Sequence, residues 1–265
     1  MLTNLSNHPV SSWPDEQYQY AFSRWGEVLD VPFPSVPPAS DEADIMCRVR
    51  KYLELLPGKE AGPVFVSGEY SFTYAMADLL MKRGYRVMYA ESENTLTLTT
   101  LEDGSTERRM AYRFIRFRDY QTLPEELERE TAFEPVFLNG SFHYPSSGWD
   151  EEALKQASVY GRIEDLPIAP FQGTDEEQSA LARGFLGKID ALRPSAVLLD
   201  GAFGTFYIMA DALVRRGYTV LVKCSQRIAA EEKGQDGVHM KTSQYRFVRY
   251  RRVLPYAEET CGPEE

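Results

Sequence analysis

The sequence has little cysteine: Cys47, Cys224 and Cys261 are its only three. They show no metal-ligand spacing. An odd, sparse count suits a reducing cytoplasm rather than a disulfide-stapled secreted domain. Long hydrophobic runs are missing too. No stretch of about 18 apolar residues occurs, so nothing reads as a membrane span. The opening MLTNLSNHPVSS lacks a basic leader and a long apolar segment, and does not read as a signal peptide. Positive charge is in deficit: 29 Lys and Arg stand against 40 Asp and Glu, a net charge of −11. That balance disfavours wrapping long nucleic acid, which takes many phosphate contacts. A small anionic ligand held by a few arginines stays open. Neither a P-loop nor a dinucleotide-binding glycine fingerprint occurs, and no cofactor or metal is expected.

What is present is a repeat. The chain has 265 residues, enough for one large or two modest domains. Shifting the sequence by 133 positions lays 63–118 over 196–251 without a gap, with 19 of 56 positions identical. Gly68–Asp78 falls over Gly201–Asp211, Arg83-Gly84-Tyr85 over Arg216-Gly217-Tyr218, and Tyr112–Arg118 over Tyr245–Arg251. The earlier parts match at an offset of about 135, so that Ser6-Asn7-His8 answers Ser141-Phe142-His143. The expected organisation is a first domain at 1–122, an acidic linker at 123–132 and a second domain at 133–265.

Each copy reads as the same string of elements. Strands are expected at Leu2–Leu5 and Pro135–Leu138, then helices at Pro14–Trp25 and Asp150–Tyr160. Short strands follow at Glu27–Val31 and Arg162–Leu166, and helices at Asp41–Leu56 and Asp175–Leu192. The apolar runs Val64–Ser67 and Ala196–Leu199 read as buried parallel strands. A third helix starts after Gly68 or Gly201 and ends at Gly84 or Gly217. A fourth strand (Arg86–Ala90; Thr219–Lys223) leads to a hairpin turning at Asp103-Gly104 or Asp236-Gly237. Strand–helix alternation predicts an α/β fold: mostly parallel sheets with helices on both faces. On the last strand, period two puts Phe114, Arg116 and Arg118 on one face, with Arg113, Ile115 and Phe117 on the other. A solvated edge is the plain reading of those arginines.

Open α/β sheets bind ligands at the carboxyl ends of their strands. Three such ends are informative in each copy. Ser6, Asn7 and His8 follow the first strand, as do Ser141 and His143. Gly68, Glu69, Tyr70 and Ser71 follow the third, as do Gly201, Ala202, Phe203, Gly204 and Thr205. There the glycine lets the chain turn into a helix whose free N–H groups favour an anion. A loop after the fourth strand carries Ser92 in one copy and Ser225, Gln226 and Arg227 in the other. Arg227 suits a phosphate, whereas its counterpart Asn94 lies near Glu91 and Glu93. Any phosphate chemistry is therefore expected on the second half.

The Ser-x-His ends, Gly201–Thr205, Ser225-Gln226-Arg227 and the closing Phe247-Val248-Arg249-Tyr250-Arg251 together resemble a known family. It is that of the CRISPR-associated Rossmann-fold (CARF) domains, particularly the ring nucleases of type III CRISPR systems. The resemblance covers each copy nearly end to end. It implies two tandem Rossmann-like domains forming an intramolecular pseudo-dimer, with a cyclic oligoadenylate such as cyclic tetra-adenylate in the cleft between them. It implies metal-independent cleavage by ribose 2′-OH attack on the adjacent phosphate, which switches off the signal. Ser225 and Arg227 would contact the phosphate, Gly201 to Thr205 the backbone and base, and His143 or His8 would assist proton transfer. The Glu91-Ser92-Glu93-Asn94 stretch departs from the pattern, which leaves one-sided cutting and binding without cutting both open. A sponge or sensor for the ligand is thus the second reading. An unrelated α/β enzyme acting on a nucleotide or sugar-phosphate is the third.

Overall fold

The computed structural model describes residues 1–100, 106–123, 135–142, 144–233 and 239–256, with side chains outside 94–112 and 227–244. The first half runs β1 (Leu2–Ser6), α1 (Asp15–Trp25), β2 (Val28–Asp30), α2 (Glu42–Leu55), β3 (Val64–Ser67), α3 (Tyr70–Lys82), β4 (Val87–Thr100) and β5 (Thr106–Asp119). The second half repeats the order with β6 (Val136–Asn139), α4 (Glu151–Ser158), β7 (Arg162–Asp165), α5 (Asp175–Leu192), β8 (Ala196–Leu198), α6 (Phe203–Arg215), β9 (Thr219–Lys233) and β10 (His239–Arg252). The starts of several helices are fixed by side chains. Asp41 and Asp150 accept from Asp44 N and Ala153 N, and Thr174 forms a capping box with Glu177. Gly84 and Gly217, at φ 81° and 76°, follow the caps of α3 and α6, where a left-handed residue ends the helix.

Two five-stranded sheets result, ordered β2-β1-β3-β4-β5 and β7-β6-β8-β9-β10. Strands β2, β1, β3 and β4 are parallel, and β5 closes the edge antiparallel; the second sheet repeats this. The tandem Rossmann-like α/β fold is therefore as expected. The strand order reverses beside β1 and β6, which creates a crevice at the strands' carboxyl ends.

The hairpins differ from expectation. The stretches Glu91–Asn94 and Cys224–Arg227 are not loops, because β4 and β9 run straight through them. The parallel partners stop early: β3 pairs with β4 at Val87 and Met88, and β8 with β9 only as far as Leu221. Beyond that point each hairpin continues as a two-stranded arm. The Asp-Gly turns, and the linker after Leu123, lie outside the described residues.

A bulge explains a second difference. Glu91 pairs with Arg116 but Ser92 pairs with Phe114, which leaves Ile115 as an extra residue. In the second half Cys224 pairs with Arg249 and Ser225 with Phe247, which leaves Val248 extra. Each extra residue shifts the side-chain alternation. Phe114 and Phe117 therefore share one buried face, their rings 5.1 Å apart, instead of lying on opposite faces. Arg118 and Arg251 are turned inward and are only 7% and 1% exposed, so neither is a solvated edge residue.

The layers follow from what each face buries. Outside each sheet lies one helix: α1 covers Leu2, Phe65 and Met88, and α4 covers Phe137, Leu198 and Leu221. Between the sheets, residues of α2, α3, α5 and α6 form one continuous core. Residues one full repeat apart touch there. The rings of Tyr74 and Tyr207 are 5.2 Å apart, as are those of Tyr70 and Phe203. Equivalent residues meet each other only at a two-fold axis, so α3 and α6 pack as an internal pseudo-dimer. Burying such side chains is worth about 1.5–3 kcal/mol each, enough to fuse the halves into one body. Among the described residues, no helix is long and apolar enough to cross a membrane.

Candidate functional site

The axis runs beneath a cavity of about 2180 Å³ whose walls come from both halves. The first half contributes Asn7 and His8 after β1, Gly68 to Tyr70 after β3, and Glu91 to Glu93 on β4. The second contributes Phe142 and Tyr144 after β6, Asp200 to Thr205 after β8, and Lys223 to Ser225 on β9. These are the strand ends on either side of each order reversal, where this fold class opens.

The loop after β1 is held by its backbone. The His8 carbonyl accepts from Asn4 Nδ2 at 2.9 Å, Ser6 Oγ at 2.9 Å and Trp13 Nε1 at 3.0 Å, which leaves the imidazole exposed on the wall. In the second half the same carbonyl role falls to Tyr144, which accepts from Asn139 Nδ2 at 2.9 Å and Trp149 Nε1 at 3.1 Å. The structural counterpart of His8 is therefore Tyr144, one residue beyond the position expected for His143. The second loop carries a one-residue insertion. His143 itself lies outside the described residues.

Asp165 anchors this loop by accepting from Asn139 and Ser146. Partial burial alone would raise its carboxyl, but these donors hold it below the ordinary carboxylate value.

The two glycine turns differ. Gly201 has φ +110°, a conformation that favours glycine. Gly68 is needed for space, since a Cβ there would lie 2.3 Å from the Phe33 ring. After Gly68, Glu69 caps α3, with its carboxylate accepting from Phe72 N at 3.0 Å and Ser71 Oγ at 2.8 Å. After Gly201, Ala202 occupies the matching position and α6 has no side-chain cap. Tyr70 crosses the axis, donating to Gly201 O at 2.8 Å and accepting from Gly201 N at 3.1 Å. Burial, with Asp200 nearby, pushes its hydroxyl far above the usual tyrosine range, so it stays protonated.

The buried arginines cross the axis in both directions. Arg118 donates to Gly173 O at 2.8 Å and pairs with Glu91 at 3.1 Å and with Asp175. Arg251 donates to Ser40 O at 2.9 Å, Pro37 O at 2.9 Å and Pro38 O at 3.0 Å. It also reaches Ser71 Oγ at 3.1 Å and Glu69 at 3.2 Å. Each half's last strand thus holds the lip of the other half's share of the cleft.

Of the residues expected from sequence, Asn7, His8, Gly68, Glu69, Tyr70, Ser92, Gly201, Ala202, Phe203, Gly204, Thr205 and Ser225 come together on these walls. Ser6, Ser71, Ser141 and Gln226 do not line them. Ser6 Oγ closes the turn to His8 O, Ser71 Oγ serves Glu69, and Ser141 Oγ donates to Asp200 at 2.6 Å. Gln226 is exposed and accepts from Arg246 at 2.8 Å. Arg227 is placed by backbone pairing with Tyr245, and its side chain lies outside those described.

Sequence reasoning missed Lys223, Tyr144, Arg118 and Arg251. The last two carried a signal, since both recur at the offset of 133, but the bulge concealed the face they occupy. Lys223 lies over the Tyr144 ring, 5.2 Å from its centroid, and its counterpart is Ala90. Burial pushes the Cys224 thiol up to about 11, so it is no thiolate nucleophile at neutral pH. Among the described residues, no group of three or more His, Cys, Asp or Glu is arranged to hold a metal ion.

A family model described as "Uncharacterized protein MJ1673 family" matches residues 1–118 and again 140–251. No curated protein and no solved structure matches the chain.

Proposed function

The chain belongs to the MJ1673 family, and we propose that it binds a cyclic oligoadenylate in the shared cleft and cleaves it on the side of the second half. The observation that carries this reading is the cleft itself. It straddles a pseudo-two-fold axis at the ligand-binding ends of both sheets, and its 2180 Å³ far exceeds an ordinary small-molecule pocket of about 300–1,000 Å³. A ring of repeated nucleotides suits walls repeated about an axis. The resemblance to ring nucleases in Gly201–Thr205 and Ser225-Gln226-Arg227 supports the same ligand class.

The chemistry asks little of the protein beyond alignment. The ribose 2′-oxygen forms a bond to the adjacent phosphorus and loses its proton. The bond from phosphorus to the 5′-oxygen breaks, and that oxygen takes up a proton. A 2′,3′-cyclic phosphate remains. Positioning and charge stabilisation supply the rate. On the second half Lys223 and Ser225 line the wall, with Arg227 two residues beyond Ser225, and the uncapped start of α6 faces the same space. Aromatic faces of Tyr144 and Tyr245 offer stacking for bases.

The acidic first wall of Glu69, Glu91 and Glu93 favours a second reading, in which the chain binds the ring without cutting it. One assay separates the two. The pure chain is incubated at excess with cyclic tetra-adenylate in EDTA, and the products are resolved by chromatography. A linear product ending in a 2′,3′-cyclic phosphate supports cleavage. An intact ring that co-elutes with the protein selects the binding module. An intact ring that does not co-elute overturns both.

A further inference from the structure

The start of α3 is built as an anion cradle, and the protein fills it with its own carboxylate. Glu69 lines the cavity while its oxygens accept from Phe72 N at 3.0 Å and Ser71 Oγ at 2.8 Å and pair with Arg251 at 3.2 Å. Arg251 comes from the other half and is 1% exposed. A cation that deep needs a partner, and Glu69 supplies it beside the neutral carbonyls of Pro37, Pro38 and Ser40. The donors are a helix N–H, a hydroxyl and a guanidinium, which together would hold a phosphate equally well.

The second half lacks this arrangement. One repeat on, Glu69 becomes Ala202 and Ser71 becomes Gly204. Arg118, the counterpart of Arg251, is held instead by Glu91 and Asp175. We propose that Glu69 is an internal anion that occupies the first half's phosphate position, so that a ligand in the shared cleft has its phosphate held by the second half alone. The one-sided engagement rests on the ligand class proposed above; the occupied cradle does not.

The cradle is tested without any nucleotide. Glu69→Ser keeps a helix cap but removes the carboxylate. Its thermal midpoint is expected to fall by roughly 5 °C, as a loss of about 1–2 kcal/mol does in a chain of this size. Sodium formate or inorganic phosphate, compared with chloride at equal ionic strength, should restore most of that loss. The wild type should not respond, and the double variant with Arg251→Met should not be rescued. Equal stabilisation of the wild type, or no anion-specific rescue of Glu69→Ser, overturns the proposal.

The one-sidedness is tested with cyclic tetra-adenylate. Ala202→Glu installs the plug in the second half and should weaken binding at least tenfold, whereas Glu69→Ser should tighten it several-fold. Unchanged binding by Ala202→Glu, or weakened binding by Glu69→Ser, overturns it. If no form binds the nucleotide, the proposed function fails, while the formate result still decides whether Glu69 stands in for an anion.

Discussion

The two halves share a fold and differ in charge where they face the cleft. On the first wall stand Glu69, Glu91 and Glu93; 133 residues on, the second half has Ala202 and Cys224 on its wall and the exposed Gln226 outside it. The scaffold beneath is common to the copies: the same strand order, the same bulge, the same crossing arginine. Duplication therefore supplied a symmetric frame, and substitution at the strand ends gave it a direction. A symmetric cleft would offer an anion two equivalent seats. This one offers a seat already taken by a carboxylate and another without a capping side chain, next to Asp200.

The crossing arginines give the sharpest test of that contrast. Arg251→Met removes a fully buried cation and strands the carbonyls of Pro37, Pro38 and Ser40, so urea unfolding should show a loss of about 3–5 kcal/mol. Arg118→Met should cost less, about 1–2 kcal/mol, because Asp175 is 64% exposed and Glu91 keeps Arg116. Equal losses would mean that the two latches are interchangeable.

Gly204 comes next. It stands where the first half has Ser71, yet a Cβ there would lie 2.3 Å from the Tyr89 side chain across the interface. Gly204→Ala should cost about 1–3 kcal/mol by overpacking. No loss would show that the Tyr89 side chain has room to move aside.

Much of this architecture is legible in the sequence. The repeat at 133, the order of elements and the glycine ends of α3 and α6 follow from apolar periodicity and turn chemistry. The arms and the faces of the last strands do not. Strand alternation assumes an unbroken register, and a single extra residue at Ile115 or Val248 reverses it. For the same reason Arg118 and Arg251 look like surface residues in the sequence. Matching letters align His143 with His8, whereas the hydrogen bonds to the Tyr144 carbonyl reveal the insertion. Lys223 gives no signal, since Ala90 stands opposite it in the repeat.

Smaller effects refine the account of the axis. Tyr120 donates to Val66 O at 2.9 Å, so Tyr120→Phe should cost about 1 kcal/mol. The Tyr207 hydroxyl is buried with no hydrogen-bond partner among the described residues. Tyr207→Phe should be neutral or stabilise by up to ~1 kcal/mol, read by the same unfolding curves. A matching loss would place an acceptor beside Tyr207.

Burial raises the Asp211 carboxyl, opposed by Arg215 and aided by Asp78. The folded protein therefore binds that proton more tightly than the unfolded chain. The stability linked to Asp211 rises as pH falls through its raised range, and is lost as pH climbs above it. Asp211→Asn should flatten that part of a stability profile. A profile unchanged by Asp211→Asn would remove Asp211 from the account of the axis.

The central claim is that both halves form one cleft for one ring. Calorimetric titration of the full chain with cyclic tetra-adenylate tests it most directly. The account predicts saturation at one ring per chain, with binding at least tenfold weaker in Ala202→Glu. Saturation at two rings per chain, or no heat of binding at all, would contradict it.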